Sequence, residues 1–229
     1  MESQVSFYCI NFNDNDRKEK MIARWNKLEL SLNFVSPVET SDIRLNVSHV
    51  EDKRTASIML QHVDSMQHFL ENSTNKYCII CEDDITVSKN IKKDLSEFID
   101  IYEKFSLDVL LLGYLVSYEI EPWNTYYITK LITDKYQYKT FPPDLWGTQM
   151  YLFSRNYAIE MVKKYQLDFI LKNPQIPYSP DWTITKIGNN LIVYPMIAVE
   201  EGVTKTDHEG QNNVHTKTFT INFNPDVHF

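Results

Sequence analysis

The chain is predicted to adopt an α/β fold, in which a mostly parallel sheet is flanked by helices. Short apolar runs alternate with segments whose apolar residues recur at helical spacing, which is typical of strands joined by helical crossovers. The run Asp108–Gly113 is continuously apolar after its first residue, as expected for a central strand buried on both faces. A length of 229 residues with 43% hydrophobic residues suits one domain with a sizeable core.

The elements are predicted in chain order from apolar patterning and turn signals. Strands are predicted at Val5–Asn11, Phe34–Val38, Tyr77–Cys81, Asp108–Gly113, Thr148–Phe153 and Leu191–Tyr194, the last of which is expected to close the sheet. A loop and helix-cap signal at Asn13–Asp16 precedes a helix through Met21, Trp25 and Leu28. Further helices are predicted over 52–71, through Ile91, Leu95, Phe98 and Tyr102, and at Asn156–Tyr165 and Asp181–Ile187. Residues 114–145 and the polar tail after Glu200 are predicted to be irregular.

Composition excludes several classes of function. A net charge of −8 disfavours a nucleic-acid ligand, whose phosphates would be repelled. No apolar run approaches the roughly 20 residues that span a bilayer, and Met1–Gln4 lacks the features of a signal peptide. We therefore expect a soluble, cytoplasmic protein without a transmembrane segment. The many Asn, Lys, Ile and Tyr residues indicate an AT-rich genome, viral or low-GC microbial.

The most informative pattern is the acidic triplet Glu82–Asp84, which directly follows the apolar strand Tyr77–Cys81. Three adjacent carboxylates repel one another and are costly at the end of a core strand. A divalent cation makes such a cluster favourable, and ligands of α/β sheets bind at the carboxyl ends of strands. The alternative is an exposed acidic turn. Cys9, Cys78 and Cys81 lie in apolar strand-like runs and are expected to be free and buried, because no second Cys/His pair has zinc spacing relative to Cys78 and Cys81.

Several weak motifs occur in one order along most of the chain. They are Ile10-Asn11 with Asp16-Arg17, Ala56–His62, Cys81–Ile85, Gly147–Arg155 with Ala158, Asp181, and Thr206-Asp207. In this order they resemble glycosyltransferase family 25, which includes bacterial lipooligosaccharide galactosyltransferases and collagen-modifying glycosyltransferases. Two positions depart from the family pattern, where Ser57 and Gln61 replace the usual Gly and Ser.

The resemblance implies a GT-A-like, Rossmann-type fold and transfer of a hexose from a UDP-sugar with inversion. Galactose or glucose is the expected sugar, and the acceptor is a hydroxyl of an unidentified glycan or protein. A single glycosyltransferase domain over 1–229 is expected, which the chain length suits. Its nucleotide-sugar half would cover about 1–113 and its acceptor half about 114–229.

The predicted cofactor is Mn²⁺ or Mg²⁺, because a nucleoside diphosphate leaves readily only when its charge is neutralised. On an extended backbone, Glu82 and Asp84 would point to the same side and reproduce an Asp-x-Asp arrangement. Asp84 is expected to contact the metal, Glu82 the metal or the ribose, and Asp83 the donor or the turn itself. The late candidates for further metal ligands are Asp207-His208, which match a family element, and His215. The alternative for either histidine is a solvated tail residue.

Inverting transfer needs a general base for the acceptor hydroxyl. Asp181 is the first candidate, with Trp182 beside it to stack on a sugar, and Asp144 is the reserve. Asp181 has the alternative role of a helix N-cap. Asn11 and Arg17 are expected to contact the donor, the latter at its diphosphate or uracil.

For some residues the sequence is consistent with either a role in ligand binding or a structural role. The alternative for Arg17 is a surface cation, and the alternative for His62, a candidate donor contact, is a packing histidine. The Tyr/Trp-rich segment predicts either an acceptor platform or a homodimer surface; its aromatics are Tyr114, Tyr118, Trp123, Tyr126, Tyr127, Tyr136 and Tyr138.

The sequence leaves two alternatives to glycosyl transfer. The first is a GT-A-like domain that binds without catalysing. The second is phosphoryl transfer, which is disfavoured because the loop after the first strand contains no glycine.

Overall fold

The computed structural model describes residues 4–46, 52–120, 127–143, 145–165, 169, 172–202 and 209–229. Its elements, in chain order, are β1 (Val5–Ile10), α1 (Asn15–Lys27), β2 (Asn33–Phe34), a 3₁₀ turn (Ile43–Leu45), α2 (Lys53–Asn72), β3 (Tyr77–Glu82), β4 (Ile85–Val87), α3 (Ile91–Lys104), β5 (Val109–Leu115), β6 (Thr129–Ile132), β7 (Gln137–Thr140), β8 (Trp146–Ser154), α4 (Arg155–Lys164), α5 (Pro180–Thr183), β9 (Asn190–Tyr194), β10 (Ala198–Glu200) and α6 (Glu209–Asn222). None of the helices in the described ranges is long and apolar enough to span a membrane.

The main sheet has eight strands in the order β2-β1-β3-β8-β5-β9-β7-β6. β1 pairs in parallel with β2 and β3, and β5 pairs in parallel with β9. β8 lies between β3 and β5 and runs antiparallel to both. The predicted α/β class with a Rossmann-type half is confirmed, and the sheet as a whole is mixed because β6, β7 and β8 join antiparallel.

Alternation along the strands places two apolar cores on opposite faces of the sheet. In β1, Phe7 and Cys9 pack with Trp25 of α1, whereas Tyr8 packs with Met59 of α2 on the other face. Each face thus carries helices, as the crossover pattern predicted. All three cysteines are free and buried, which confirms the expectation for them.

Aspartate side chains cap the N-termini of α1 and α2. Asp14 is the N-cap of α1, and its Oδ1 accepts a hydrogen bond from the backbone N–H of Arg17 at 3.0 Å. Asp52 caps α2 in the same way through the N–H of Thr55. These bonds satisfy backbone donors that have no partner within the helix.

Three sequence predictions about elements are wrong. The second strand has only two residues, Asn33 and Phe34, which pair with Tyr8 and Cys9 of β1. β9 does not close the sheet but lies inside it, between β5 and β7. The tail after Glu200 contains the helix α6.

Residues 114–145 were also predicted to be irregular, but they contribute the antiparallel pair of β6 and β7. The hydroxyls of Tyr136 and Tyr138 donate to Asp94 and Glu97 of α3, at 2.7 and 2.8 Å. The contacts that hold this pair are therefore distant in sequence, and local patterning does not reveal them.

Candidate active site

The candidate site lies at the carboxyl ends of β1 and β3. Ile10 and Glu82 are partners in the parallel register, so Asn11 and Asp83 leave the two strands side by side. Asn11 Nδ2 donates to Asp83 Oδ2 at 2.6 Å and to the Asp14 carbonyl at 2.9 Å. The strand order reverses at β1, with β2 on one side and β3 on the other, and such points are where open α/β sheets bind ligands.

Arg17, in the first turn of α1, reaches across to the acidic triplet. Its guanidinium donates to Asp83 Oδ1 at 3.0 Å and to Asp84 Oδ2 at 3.3 Å. The side chain is 38% exposed, so it is accessible to an anionic ligand as well as to the carboxylates. Neither a purely surface cation nor a fully buried ion pair describes it.

The acidic triplet does not continue as extended backbone. β3 ends at Glu82, and Asp83 and Asp84 form a turn, so the expected strand-like projection of Glu82 and Asp84 is wrong. Their charges nonetheless act on one another: burial raises the pKa of Glu82 well above its ordinary value, and Asp84 is the largest further cause. Glu82 and Asp84, the pair predicted from their spacing, therefore still lie close enough for their charges to interact.

Glu200 joins this cluster, and sequence reasoning missed it. β10 pairs antiparallel with β4 so that Glu200 lies opposite Ile85, and the Glu201 N–H donates to the Asp84 carbonyl at 2.7 Å. An added Cβ at Gly113 would lie 2.7 Å from the Ala198 carbonyl oxygen, so only glycine lets β5 approach β10 this closely. The sequence does carry a signal for Glu200. Two carboxylates, Glu200 and Glu201, follow the apolar run 196–199, just as the acidic triplet follows the apolar strand β3.

The neighbouring carboxylate, Glu201, has a different role. It forms ion pairs with Lys20 at 2.6 Å and with the buried Arg24, both on α1. Arg24 also donates to the Ile85 carbonyl. Burial acts to raise the pKa of Glu201, but the hydrogen bonds from Lys20 and Arg24 outweigh it and the pKa is lowered.

Asp181 lies against the cluster through Thr148 of β8. The Thr148 hydroxyl oxygen is 3.4 Å from both Glu82 Oε1 and Asp181 Oδ1. Burial raises the pKa of Asp181, although the Gly147 backbone N–H and the Thr148 hydroxyl act against this increase. The N-cap alternative is wrong, because Ser179 is the N-cap of α5 and Asp181 lies in its first turn.

The charges of this cluster are only partly compensated. Burial raises the pKa of Asp84 to about 7; Glu200 contributes further, while Arg17 acts in the opposite direction. Glu82 is influenced by Asp84, Asp181 and Glu200 together. Carboxylates that repel one another in a half-buried site favour a bound cation.

His215 of α6 approaches the same cluster. Its Nδ1 lies 2.6 Å from Glu200 Oε2. The hydrogen bond to Glu200 raises the pKa of His215 against the effect of burial, with further contributions from Asp84 and Asp181. Of the two late histidine positions, this one is described, and it lies beside the acids.

The donor set fits a hard divalent cation, which prefers carboxylate oxygen. Asp84 Oδ1 is buried and has no hydrogen-bond partner among the described residues, so it retains lone pairs for a ligand. Within the same described ranges, no three His, Cys, Asp or Glu side chains stand close enough to form a preassembled ligand set. Mg²⁺ commonly takes only one or two carboxylates from the protein and the rest of its ligands from substrate phosphates and water.

A cavity of about 270 Å³ adjoins the site on the side of β2. It is lined by Asn11, Asn13, Asn15 and Lys18 from the start of α1 and its loop, and by residues 34–37 after β2. Lys18 Nζ lies 4.9 Å from the centre of the Phe34 ring. The cavity thus combines amide groups, one cation and one aromatic face.

His62 is not a ligand contact in this structure. It is fully buried, its Nδ1 lies 2.8 Å from the Tyr151 hydroxyl, and burial lowers its pKa to about 3. The prediction of a donor contact at His62 is therefore wrong, and the packing alternative describes it. The neighbouring Gln61 does support the site, since its Nε2 donates to the Asn11 carbonyl at 3.0 Å.

The predicted aromatic platform is mostly wrong as well. Four of its tyrosines are buried, namely Tyr114, Tyr127, Tyr136 and Tyr138. Tyr118 is exposed and shares a 2.7 Å contact between hydroxyl oxygens with Tyr127. The exposed indoles near Asp181 are Trp146 and Trp182, at 47% and 37% exposure.

Five predicted positions lie outside the described residues. They are Asp144, Asp207 and His208 of the site predictions, and Trp123 and Tyr126 of the aromatic segment.

No family model matches the sequence, and no curated protein matches it. Among solved structures, it is similar to A197 from STIV (14% identity, 90% of this chain and 96% of the other, TM-score 0.42). It is also similar to a glycosyltransferase involved in glycosylation of the major capsid of PBCV-1 (13%, 92% and 98%, 0.43). A third is mannose-1-phosphate geranyltransferase from Thermus thermophilus (9%, 83% and 74%, 0.46). Identities and TM-scores this low transfer no function, which has to be argued from the chain's own residues.

Proposed function

We propose that the protein is a metal-dependent, inverting glycosyltransferase that moves a hexose from a UDP-sugar to an acceptor hydroxyl. The observation that carries the proposal is the position of Thr148, whose hydroxyl lies 3.4 Å from both Glu82 and Asp181. It joins the acidic cluster suited to a donor diphosphate to a separate carboxylate suited to a general base. A site with both parts matches the chemistry of sugar transfer to an alcohol.

The nucleotide would occupy the switch point of the sheet. The cavity beside Asn11 and Lys18 has amide and aromatic groups that suit a uracil and ribose. Arg17 is exposed enough to turn from Asp83 and Asp84 to the donor phosphates. On this assignment residues 1–113 form most of the nucleotide-sugar half, as the family resemblance implies.

Asp84 and Glu82 would hold Mn²⁺ or Mg²⁺, with His215 as a candidate further ligand. When bound, the cation would supply charge neutralisation of the diphosphate leaving group. The lone pairs of Asp84 Oδ1 and the mutual repulsion of the cluster support this assignment. Asp207 and His208 remain candidate ligands from the segment outside the described residues.

Asp181 would act as the general base. As the acceptor oxygen attacks the anomeric carbon, its proton passes to the Asp181 carboxylate and the bond to the diphosphate oxygen breaks. A buried carboxylate with a raised pKa is a better proton acceptor than an exposed one. The Gly147 N–H and the Thr148 hydroxyl hold this carboxylate in place.

The acceptor would lie over Trp146 and Trp182, which replace the buried tyrosines as the aromatic platform. Trp182 is the neighbour of Asp181, and Trp146 precedes the Gly147 that donates to it. Indole faces suit the apolar faces of pyranose rings. These residues belong to the predicted acceptor half, and they favour a glycan over a bare protein hydroxyl as the acceptor.

The test is a UDP-release assay with Mn²⁺ and with EDTA across a panel of UDP-sugars. Slow hydrolysis of one UDP-sugar, abolished by EDTA, is expected because water can replace the acceptor. Calorimetry with UDP and Mn²⁺ tests binding independently of turnover. Binding of UDP without turnover toward any sugar or candidate glycan would favour the rival, a non-catalytic GT-A-like binding domain, and absence of both would overturn the proposal.

A further inference from the structure

A side-chain contact joins the C-terminal helix α6 to the acidic cluster. His215 Nδ1 lies 2.6 Å from Glu200 Oε2, and the Glu200 side chain is only 3% exposed. An ionised carboxylate can only accept a hydrogen bond, so next to ionised Glu200 the proton of this pair lies on Nδ1. In the neutral imidazole the lone pair is then on Nε2.

The position of Glu200 makes this pair more than a local contact. β10 holds Glu200 opposite Ile85, directly after Asp84, and the charges of Asp84 and Glu200 act on one another. His215 is in turn influenced by Asp84 and Asp181. The pairing of β10 with β4 therefore sets the distance between two carboxylates. One is Glu200, which contacts His215, and the other is Asp84, whose Oδ1 has no hydrogen-bond partner among the described residues.

Resting on the proposed function, we propose that Glu200 is a positioning residue that holds His215 in the tautomer with Nε2 free to bind the divalent cation. Metal-bound histidines usually donate their second ring N–H to a carboxylate or carbonyl, which fixes the ring and its tautomer. Glu200 acts through His215 and does not itself contact the substrate. The pair explains how a helix so late in the chain contributes to a site built on β1 and β3.

The neighbouring residue offers a matched control. Glu201 ends the same strand and is also a half-buried carboxylate, but its partners are Lys20 and Arg24 on α1. Glu201→Gln removes a charge one residue away without touching the His215 contact. Glu200→Gln removes the charge that fixes the tautomer, and Glu200→Asp retains it on a shorter side chain.

The first experiment is ¹⁵N NMR of the His215 ring in the metal-free protein, well above neutral pH, where the imidazole is neutral. The wild type and Glu201→Gln are expected to show the Nδ1–H tautomer, Glu200→Gln a mixture of the two tautomers, and Glu200→Asp a partial return. An unchanged tautomer in Glu200→Gln would overturn the proposal.

The second experiment is calorimetry of Mn²⁺ in the presence of UDP. Glu200→Gln is expected to weaken Mn²⁺ binding by about 10–100-fold and Glu201→Gln by less than about threefold. His215→Ala is expected to weaken it at least as much, and the double variant Glu200→Gln/His215→Ala no further. Full additivity would overturn the positioning role. A wild type that binds no Mn²⁺ would overturn the proposed function itself, whereas binding that is insensitive to Glu200→Gln overturns only the role of Glu200.

Discussion

Two acidic strand ends meet in this molecule, one after β3 and one at β10, and each divides its carboxylates between two tasks. After β3, Asp83 is bonded to Asn11 and Arg17, whereas Glu82 and Asp84 share the candidate site. At β10, Glu201 is paired with α1, whereas Glu200 faces the site. Asp83 and Glu201 are thus scaffold carboxylates held by α1, whereas Glu82, Asp84 and Glu200 face the site, although Arg17 also reaches Asp84 at 3.3 Å.

The largest expected effect comes from removing the charge of Asp84, whose Oδ1 has no hydrogen-bond partner among the described residues. If the proposed function is right, Asp84→Asn is expected to reduce Mn²⁺-dependent turnover by at least about 10³-fold, because the cation would lose its main protein ligand. Circular dichroism should show an unchanged fold. Glu201→Gln, the equivalent change among the scaffold carboxylates, should retain turnover within about threefold, and equal losses in both variants would remove the distinction between the two tasks.

Asp181→Asn is expected to reduce transfer by about 10²–10⁴-fold, because the amide cannot take the acceptor proton. Binding of UDP and Mn²⁺, measured by calorimetry, should stay within about threefold of the wild type. The control is Asp94→Asn, which removes another buried carboxylate that is bonded to Tyr136 and Lys135. Loss of UDP binding in Asp181→Asn would place this residue in the donor site or the scaffold instead.

The effects of Asp84→Asn and Glu201→Gln on the free energy of unfolding should change with pH in opposite directions. Burial and Glu200 raise the pKa of Asp84 from 3.8 to about 7, so its ionisation opposes folding, and its contribution to stability is lost as the pH rises through this range. Without metal, Asp84→Asn should gain about 2 kcal/mol of unfolding free energy relative to the wild type between pH 4 and pH 7. Urea unfolding at several pH values measures this, and a constant difference would contradict it.

The smallest effect is expected for the scaffold carboxylate. The pKa of Glu201 is lowered from 4.5, so its ion pairs stabilise the fold above that pH, and this stability is lost as the pH falls through the lowered pKa. Glu201→Gln should therefore cost about 1 kcal/mol of unfolding free energy at neutral pH. The cost should disappear in acid; a cost that grows as the pH falls would show that Glu201 behaves like Asp84.

Local sequence patterns identified much of this arrangement. The apolar run Tyr77–Cys81 predicted β3, and the acids after it predicted where a ligand site would form. The cap signal at Asp14 predicted the start of α1, which presents Arg17 to those acids. These features depend on neighbouring residues in the chain, so the residue order alone is enough to indicate them.

Contacts between distant segments decided the rest. Glu200 belongs to the site only because β10 pairs with β4, and His62 is excluded only because α2 turns it toward Tyr151 in the core. Tyr136 and Tyr138 are buried because they pack against α3, and Tyr114 and Tyr127 are buried in the core on the other face of the sheet, whereas Trp146 and Trp182 stay exposed. The sequence by itself indicated the acidic cluster after β3 and the candidate base Asp181, because these signals are local. Burial and strand pairing depend on the whole fold, and they decided that Glu200 joins this cluster and that His62 does not.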